Sequence, residues 1–318
     1  MPFRRFFSCK AARFCAAFLS SGWFVTLSGC ASLGQVESLS AAQTRAQAAG
    51  YIAQSLTAGR FQLMIYQPAQ PAPATRLTLY IEGDGAAWPG PYHPPADPTP
   101  RHPVALSLAL ADPDADTNAD ATVIYLGRPC QYLGEPALAN CDARYWTGWR
   151  FAPEVIAAYD QALDTLKQRY AARHLRLVGY SGGGVIAALL AARRSDIESL
   201  LTVAAPLALE DWRIRHQISA LTGSLDPLSQ PPPAATLQGL HLSGERDNVV
   251  PPDIIATYAR YSGGTMLTVP GYNHECCWGR DWQRLLACLP PQEHKEPRDE
   301  QNLQNPVLLD HCLRAVRQ

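Results

Sequence analysis

The sequence predicts an α/β fold: a mostly parallel central sheet with helices on both faces and one lid-like insertion. Two observations carry this. From Phe61 onward, short apolar segments of strand length alternate with segments of helical periodicity, as in parallel strands joined by crossover helices. Runs such as Leu200-Leu201-Thr202-Val203-Ala204 are apolar without alternation, as strands covered on both faces are. With 47% apolar residues among 318, the chain can bury a large core.

The elements follow in order. Phe61–Tyr66 and Leu77–Ile81 read as strands separated by the Pro-rich stretch 68–73, and Ala121–Leu126 as a third. Pro153 to Tyr170 reads as an amphipathic helix. Val155, Tyr159, Leu163, Leu166 and Tyr170 recur at helical spacing, and Pro153 suits a first helical turn. His174–Tyr180 is a strand, and Val185–Arg193 a helix apolar on all sides and therefore buried. Ser199–Ala204, Leu237–Leu242 and Thr265–Val269 are further strands, with a helix near Pro252–Tyr261. Three stretches break the pattern. Residues 86–103 are Pro-rich and carry Trp88 and Tyr92. The insertion, about 207–236, carries Trp212 and three consecutive prolines. Residues 290–306 are polar and read as a surface loop.

Charge narrows the function. Lys and Arg total 27 against 28 Asp and Glu, a net −1, which excludes binding of nucleic acid through bulk positive charge. High apolar content with little net charge excludes a disordered chain.

The first 29 residues read as an address. Arg4, Arg5, Lys10 and Arg13 precede an uncharged stretch over 14–29, the layout of a secretory signal. It ends in Leu27-Ser28-Gly29-Cys30, which resembles the lipobox of bacterial lipoproteins. That resemblance implies a lipidated Cys30 as mature first residue, membrane attachment through it, and, with Ala31 rather than Asp following, an outer-membrane location in the cell envelope. Cleavage would remove 29 residues with four basic and no acidic side chains, taking the net charge from −1 to −5. Residues 30–59 read as a tether and N-terminal segment, and 60–318 as the folded domain. Six other cysteines remain: Cys130, Cys141, Cys276, Cys277, Cys288 and Cys312. An even number in an exported chain points to disulfides. Cys130–Cys141 is the local pair. Bonding Cys276 to its neighbour Cys277 would distort disulfide geometry, so each is expected to reach separately to Cys288 or Cys312.

The chemistry concentrates in three loops. The strand ending at Tyr180 runs into Gly179-Tyr180-Ser181-Gly182-Gly183 and then the apolar helix. A sharp strand-to-helix turn lifts the Ser181 hydroxyl above the sheet and leaves no room for bulk at Gly179 and Gly183. The helix N-terminus then offers N–H groups to a developing oxyanion. A hydroxyl needs a base, and the base an orienting acid. Two later strands run into a loop with Asp247 and a loop with His274, on the edge of the sheet that carries Ser181. Glu245 and Asp226 are fallback acids. The remaining histidines, among them His93, His102, His174, His216 and His311, are expected at surface or loop positions. No cluster has metal-ligand spacing, so neither metal nor cofactor is expected.

Gly-x-Ser-x-Gly in this setting, the run Gly244-Glu245-Arg246-Asp247 and the run Gly271-Tyr272-Asn273-His274, in the order Ser, Asp, His, resemble the α/β-hydrolase superfamily over most of residues 60–290. The resemblance implies Ser181 as nucleophile, His274 as base and then acid, and Asp247 as its orienter. It implies oxyanion donors at Gly182 and in the loop Glu82-Gly83-Asp84-Gly85, with Asp84 first and Gly85 the alternative. The family often has His-Gly where this chain has Glu82-Gly83. The implied activity is hydrolysis of a carboxylic ester through an acyl-enzyme, on a small-molecule or lipid-like substrate. Amide hydrolysis, acyl transfer, or ligand binding without turnover are the alternatives. Trp88, Trp146, Trp149 and Trp212 are candidates for the acyl pocket.

Overall fold

The computed structural model describes residues 40–86, 94–115 and 120–287. The lipobox with Cys30, together with Trp88, Tyr92, His93, Cys288, Cys312 and residues 290–306, lies outside them.

Eight strands form one sheet: β1 (Tyr51–Ala58), β2 (Phe61–Pro68), β3 (Arg76–Ile81), β4 (Ala121–Leu126), β5 (His174–Tyr180), β6 (Ile197–Val203), β7 (Gln238–Gly244) and β8 (Thr265–Val269). Their spatial order is β1-β2-β4-β3-β5-β6-β7-β8. From β4 to β8 every pairing is parallel, while β2 runs antiparallel to both neighbours. The predicted strands are all present, several with the predicted ends. The strand β1 is an addition: it pairs with β2 along its whole length through a hairpin at Gly59. The folded domain therefore begins before residue 60, because a helix over 40–48 also packs down through Ala42 and Ala46.

Helices cover both faces. With that first helix as α1, they are α2 (Val104–Leu110), α3 (Pro153–Tyr170), α4 (Gly182–Ala191), α5 (Leu209–His216), α6 (Pro252–Ser262) and α7 (Trp282–Ala287). One core packs α3 and α4 on Leu77, Leu79, Leu175 and Leu177. The other packs α1, α2 and α7 on Tyr80, Tyr125, Val178 and Leu242. All ten residues of α4 are buried, as its sequence demands. The insertion contains α5.

After β3 the chain steps to β4 on one side, then returns through α3 to β5 on the other. The ends of β3 and β5 lie side by side, Ile81 opposite Gly179, so a crevice opens where the strand order reverses.

Cys130 and Cys141 are bonded as expected, with Cα atoms 5.8 Å apart. Cys276 and Cys277 are paired with each other across a cis peptide, with Cα atoms 3.1 Å apart, rather than with Cys288 or Cys312, which lie outside the described residues. Asn273 holds this turn: its side-chain oxygen accepts from the N–H groups of Glu275 and Cys276.

Candidate active site

The turn after β5 is built for an exposed hydroxyl. Ser181 has φ 48° and ψ −123°, which a residue with a side chain adopts only when its surroundings force it. Its N–H donates to Val203 O on β6, 2.8 Å away, and α4 begins at the next residue. The two glycines earn their places differently. A Cβ on Gly179 would lie 2.4 Å from Gly183 O across the turn. A Cβ on Gly183 would lie 2.1 Å from Ile81 O on the neighbouring strand, so there the obstacle is β3 rather than the turn itself.

The three loops converge as the sequence predicts. His274 Nε2 is 3.1 Å from Ser181 Oγ, and His274 Nδ1 is 2.9 Å from Asp247 Oδ2. Asp247 has a fully buried side chain, and its other oxygen accepts from the N–H groups of Val249 and Val250, both at 2.8 Å. The carboxylate therefore caps its own loop and faces the imidazole at once. The His274 carbonyl accepts from the Tyr180 hydroxyl and from the Trp278 indole N–H. The fallback acids lie elsewhere. Glu245 accepts from Gly271 N–H, and Asp226 accepts from Leu228 N–H within the insertion.

Gly182, first residue of α4, has an N–H without an intrahelical partner. The loop after β3 abuts the nucleophile, since a Cβ on Gly83 would stand 3.3 Å from Ser181 Cβ. The Gly83 N–H is engaged, because it donates to Glu82 Oε1 at 2.9 Å. Asp84 and Gly85 follow it along the loop. The carboxylate of Glu82 also accepts from Tyr125 and from Ala105 N–H at the start of α2. Burial pushes Glu82 up to about 7, against the pull of these donors.

Sequence reasoning missed the side-chain role of Asp84 and its partners. Arg128 Nη1 lies 2.8 Å from Asp84 Oδ1, and Arg150 Nη1 lies 2.7 Å from Asp84 Oδ2. Burial opposes ionisation of Asp84, yet the two guanidiniums outweigh it and hold the carboxyl below its usual range. The one signal available was an arginine standing between Trp149 and Phe151. His241 departs from the surface positions expected of the remaining histidines. It is fully buried on β7, bonded to Thr202, and burial lowers it to about 4. Of the tryptophans expected at the acyl pocket, Trp146 is buried and Trp149 is partly exposed beside Gly223 of the insertion. Trp212 donates its indole N–H to Val249 O, in the loop of Asp247.

No family model and no curated protein sequence matches the chain. Solved structures do. A protein of unknown function from Agrobacterium tumefaciens, grouped with the α/β hydrolases, covers 76% of this chain and 100% of its own, with TM-score 0.50 and 17% identity. A lid-less α/β serine hydrolase from Xanthomonas campestris covers 76% and 97%, with TM-score 0.50 and 16% identity. An esterase from Pyrococcus furiosus covers 74% and 89%, with TM-score 0.52 and 10% identity. With its parallel sheet, its strand-turn-helix at Ser181 and these neighbours, the chain has the α/β-hydrolase fold.

Proposed function

We propose that the chain is a serine hydrolase that cleaves a carboxylic ester through an acyl-enzyme on Ser181. The observation that carries this is the unbroken relay from Asp247 through His274 to Ser181, at 2.9 and 3.1 Å. Ser181 Oγ attacks the acyl carbonyl carbon while its proton passes to His274 Nε2. Asp247 holds the Nδ1–H and stabilises the imidazolium. The N–H groups of Gly182 and Asp84 hold the oxyanion. The tetrahedral species then expels the alcohol, which takes the proton from His274. Water attacks the acyl-enzyme with His274 again as base, and the acid leaves as Ser181 recovers its proton.

Amide hydrolysis is the second reading. Puromycin hydrolase aligns over 75% of this chain and 38% of its own, with TM-score 0.51 and 16% identity. The same triad serves acyl transfer. A fluorophosphonate probe on the purified protein tests the reading, and an ester panel of increasing acyl length beside a peptide panel assigns the bond. Ser181→Ala abolishes labelling and lowers kcat by a factor on the order of 10³ or more. Turnover retained in that variant sinks the mechanism, and absence of labelling in the wild type leaves a binding protein on a hydrolase scaffold.

The lipobox-like run supports placing this activity at the cell envelope, with Cys30 lipidated and the domain facing the periplasm from the outer membrane. Metabolic labelling with a fatty acid tests it: label on the wild type and none on Cys30→Ser is the expected result, and an unlabelled wild type refutes it.

A further inference from the structure

Two arginines from different loops converge on one carboxylate beside the nucleophile. Arg128 follows β4 and Arg150 precedes α3, and both are 4% exposed. Each is fixed by backbone as well. Arg128 Nη2 donates to Arg150 O and Arg150 Nε to Thr147 O, both at 2.7 Å. A buried ion pair is weak support for stability, since apolar replacements are often as good, so its position calls for another reason.

That position is the oxyanion loop. A Cβ on Gly182 would stand 2.1 Å from Asp84 Oδ1 and 2.9 Å from Arg128 Nη1, so the ion pair lies directly on the residue after the nucleophile. The loop is gripped at a second point. Gln131, fully buried, donates from Nε2 to Gly83 O at 3.0 Å, while its oxygen accepts from Arg128 N–H. The Gly83–Asp84 peptide is trans and planar, so its N–H points opposite to its C=O. Fixing Gly83 O through Gln131 fixes the direction of the Asp84 N–H, and fixing the Asp84 carboxylate fixes the residue that carries it. Charge matters too. Alone, Asp84 would set a negative charge against the oxyanion, whereas with two guanidiniums the cluster is net positive.

We infer that Arg128, Arg150 and Gln131 are positioning residues that hold the Asp84 N–H as an oxyanion donor, acting through the Asp84 carboxylate and the Gly83 carbonyl. The inference rests on the hydrolase reading above. The test compares steady-state kinetics of wild type, Arg150→Gln, Arg150→Lys, Asp84→Asn and the Arg150→Gln/Asp84→Asn double variant at a temperature where each is folded. Arg150→Gln and Asp84→Asn each lower kcat by about 10- to 100-fold, with KM within about threefold, because the donor acts in the transition state. Affinity for an aryl boronic acid, which forms an anionic tetrahedral adduct on serine, falls in step. Arg150→Lys restores most of kcat, and the double variant is no slower than the slower single, since both act through one link. Singles with undiminished kcat, or losses that multiply in the double, overturn the inference. Should Arg150→Gln not fold, Asp84→Asn against Arg150→Lys carries the same comparison. A wild type that fluorophosphonate does not label overturns the hydrolase reading and this inference with it. A labelled wild type with undiminished variants overturns this inference alone.

Discussion

Gly182→Ala offers a sharp test of how tightly the ion pair is packed. Within a helix, Gly to Ala ordinarily stabilises by about 1 kcal/mol, through backbone entropy. Here the new Cβ would lie 2.1 Å from Asp84 Oδ1, 2.6 Å from its Cγ and 2.9 Å from Arg128 Nη1. The overlap with Oδ1 exceeds about 1 Å, given carbon contacts near 3.5 Å. Either α4 shifts, although all its residues are buried, or Asp84 swings away and strands two guanidiniums. Stranding a buried charge costs about 3–5 kcal/mol, so net of the helix gain the variant loses about 2–4 kcal/mol. For a domain of this size that lowers Tm by about 5–15 °C. Urea and thermal unfolding would be measured for Gly182→Ala, Asp84→Ala and the double variant. With Asp84 truncated its two atoms are gone and the end of the Arg128 side chain is released to move aside, so the same Gly182→Ala change falls within about 1 kcal/mol of neutral. Equal destabilisation in both backgrounds refutes the argument, as does a stabilised single variant.

Two further predictions concern stability. Burial keeps Glu82 protonated in the fold up to about 7, against an unperturbed value of 4.5. Between those values the folded chain holds the extra proton, so this group's contribution is full below 4.5 and is lost as pH rises through 7, by about 3 kcal/mol. His241, lowered to about 4, works in the opposite sense as pH rises from 4 to 6.5, so the wild type alone can look flat. Glu82→Gln should therefore gain about 3 kcal/mol relative to wild type between pH 4.5 and pH 8 in urea unfolding, and a pH-independent difference would be the contrary result. Cys130→Ala/Cys141→Ala opens a disulfide spanning 11 residues, with an expected loss of about 2–3 kcal/mol. Unchanged stability would show the loop is already ordered without the bridge.

Much of the fold and of the site could be read because each signal was local. The apolar runs marked β2 to β8, and three short loops at strand ends carried Ser181, Asp247 and His274. The strand β1 escaped because it is an edge strand: of its eight residues only Tyr51, Leu56 and Ala58 are buried, so no apolar run marks it. Its Gly59-Arg60 turn, with Gly59 at φ 57°, was the overlooked sign. The helix α2 starts just after Pro103, at the end of a Pro-rich stretch, and is only seven residues long. The Asp84 clamp left one local sign, Arg150 between two aromatic residues, and that does not name its partner. Its arginines lie 44 and 66 residues away, and nothing in a lone Arg says whether it meets water or a buried carboxylate.

The two bonds to the His274 carbonyl change what motion the site can tolerate. His274 follows β8, an edge strand of five residues, and sheet edges are where local opening costs least. The backbone of His274, however, is moored by Tyr180 from the centre of the sheet and by the fully buried Trp278. Fraying of β8 can therefore proceed on its own schedule while the base stays registered to the serine's strand. Amide exchange in β8 and turnover should then respond to temperature independently.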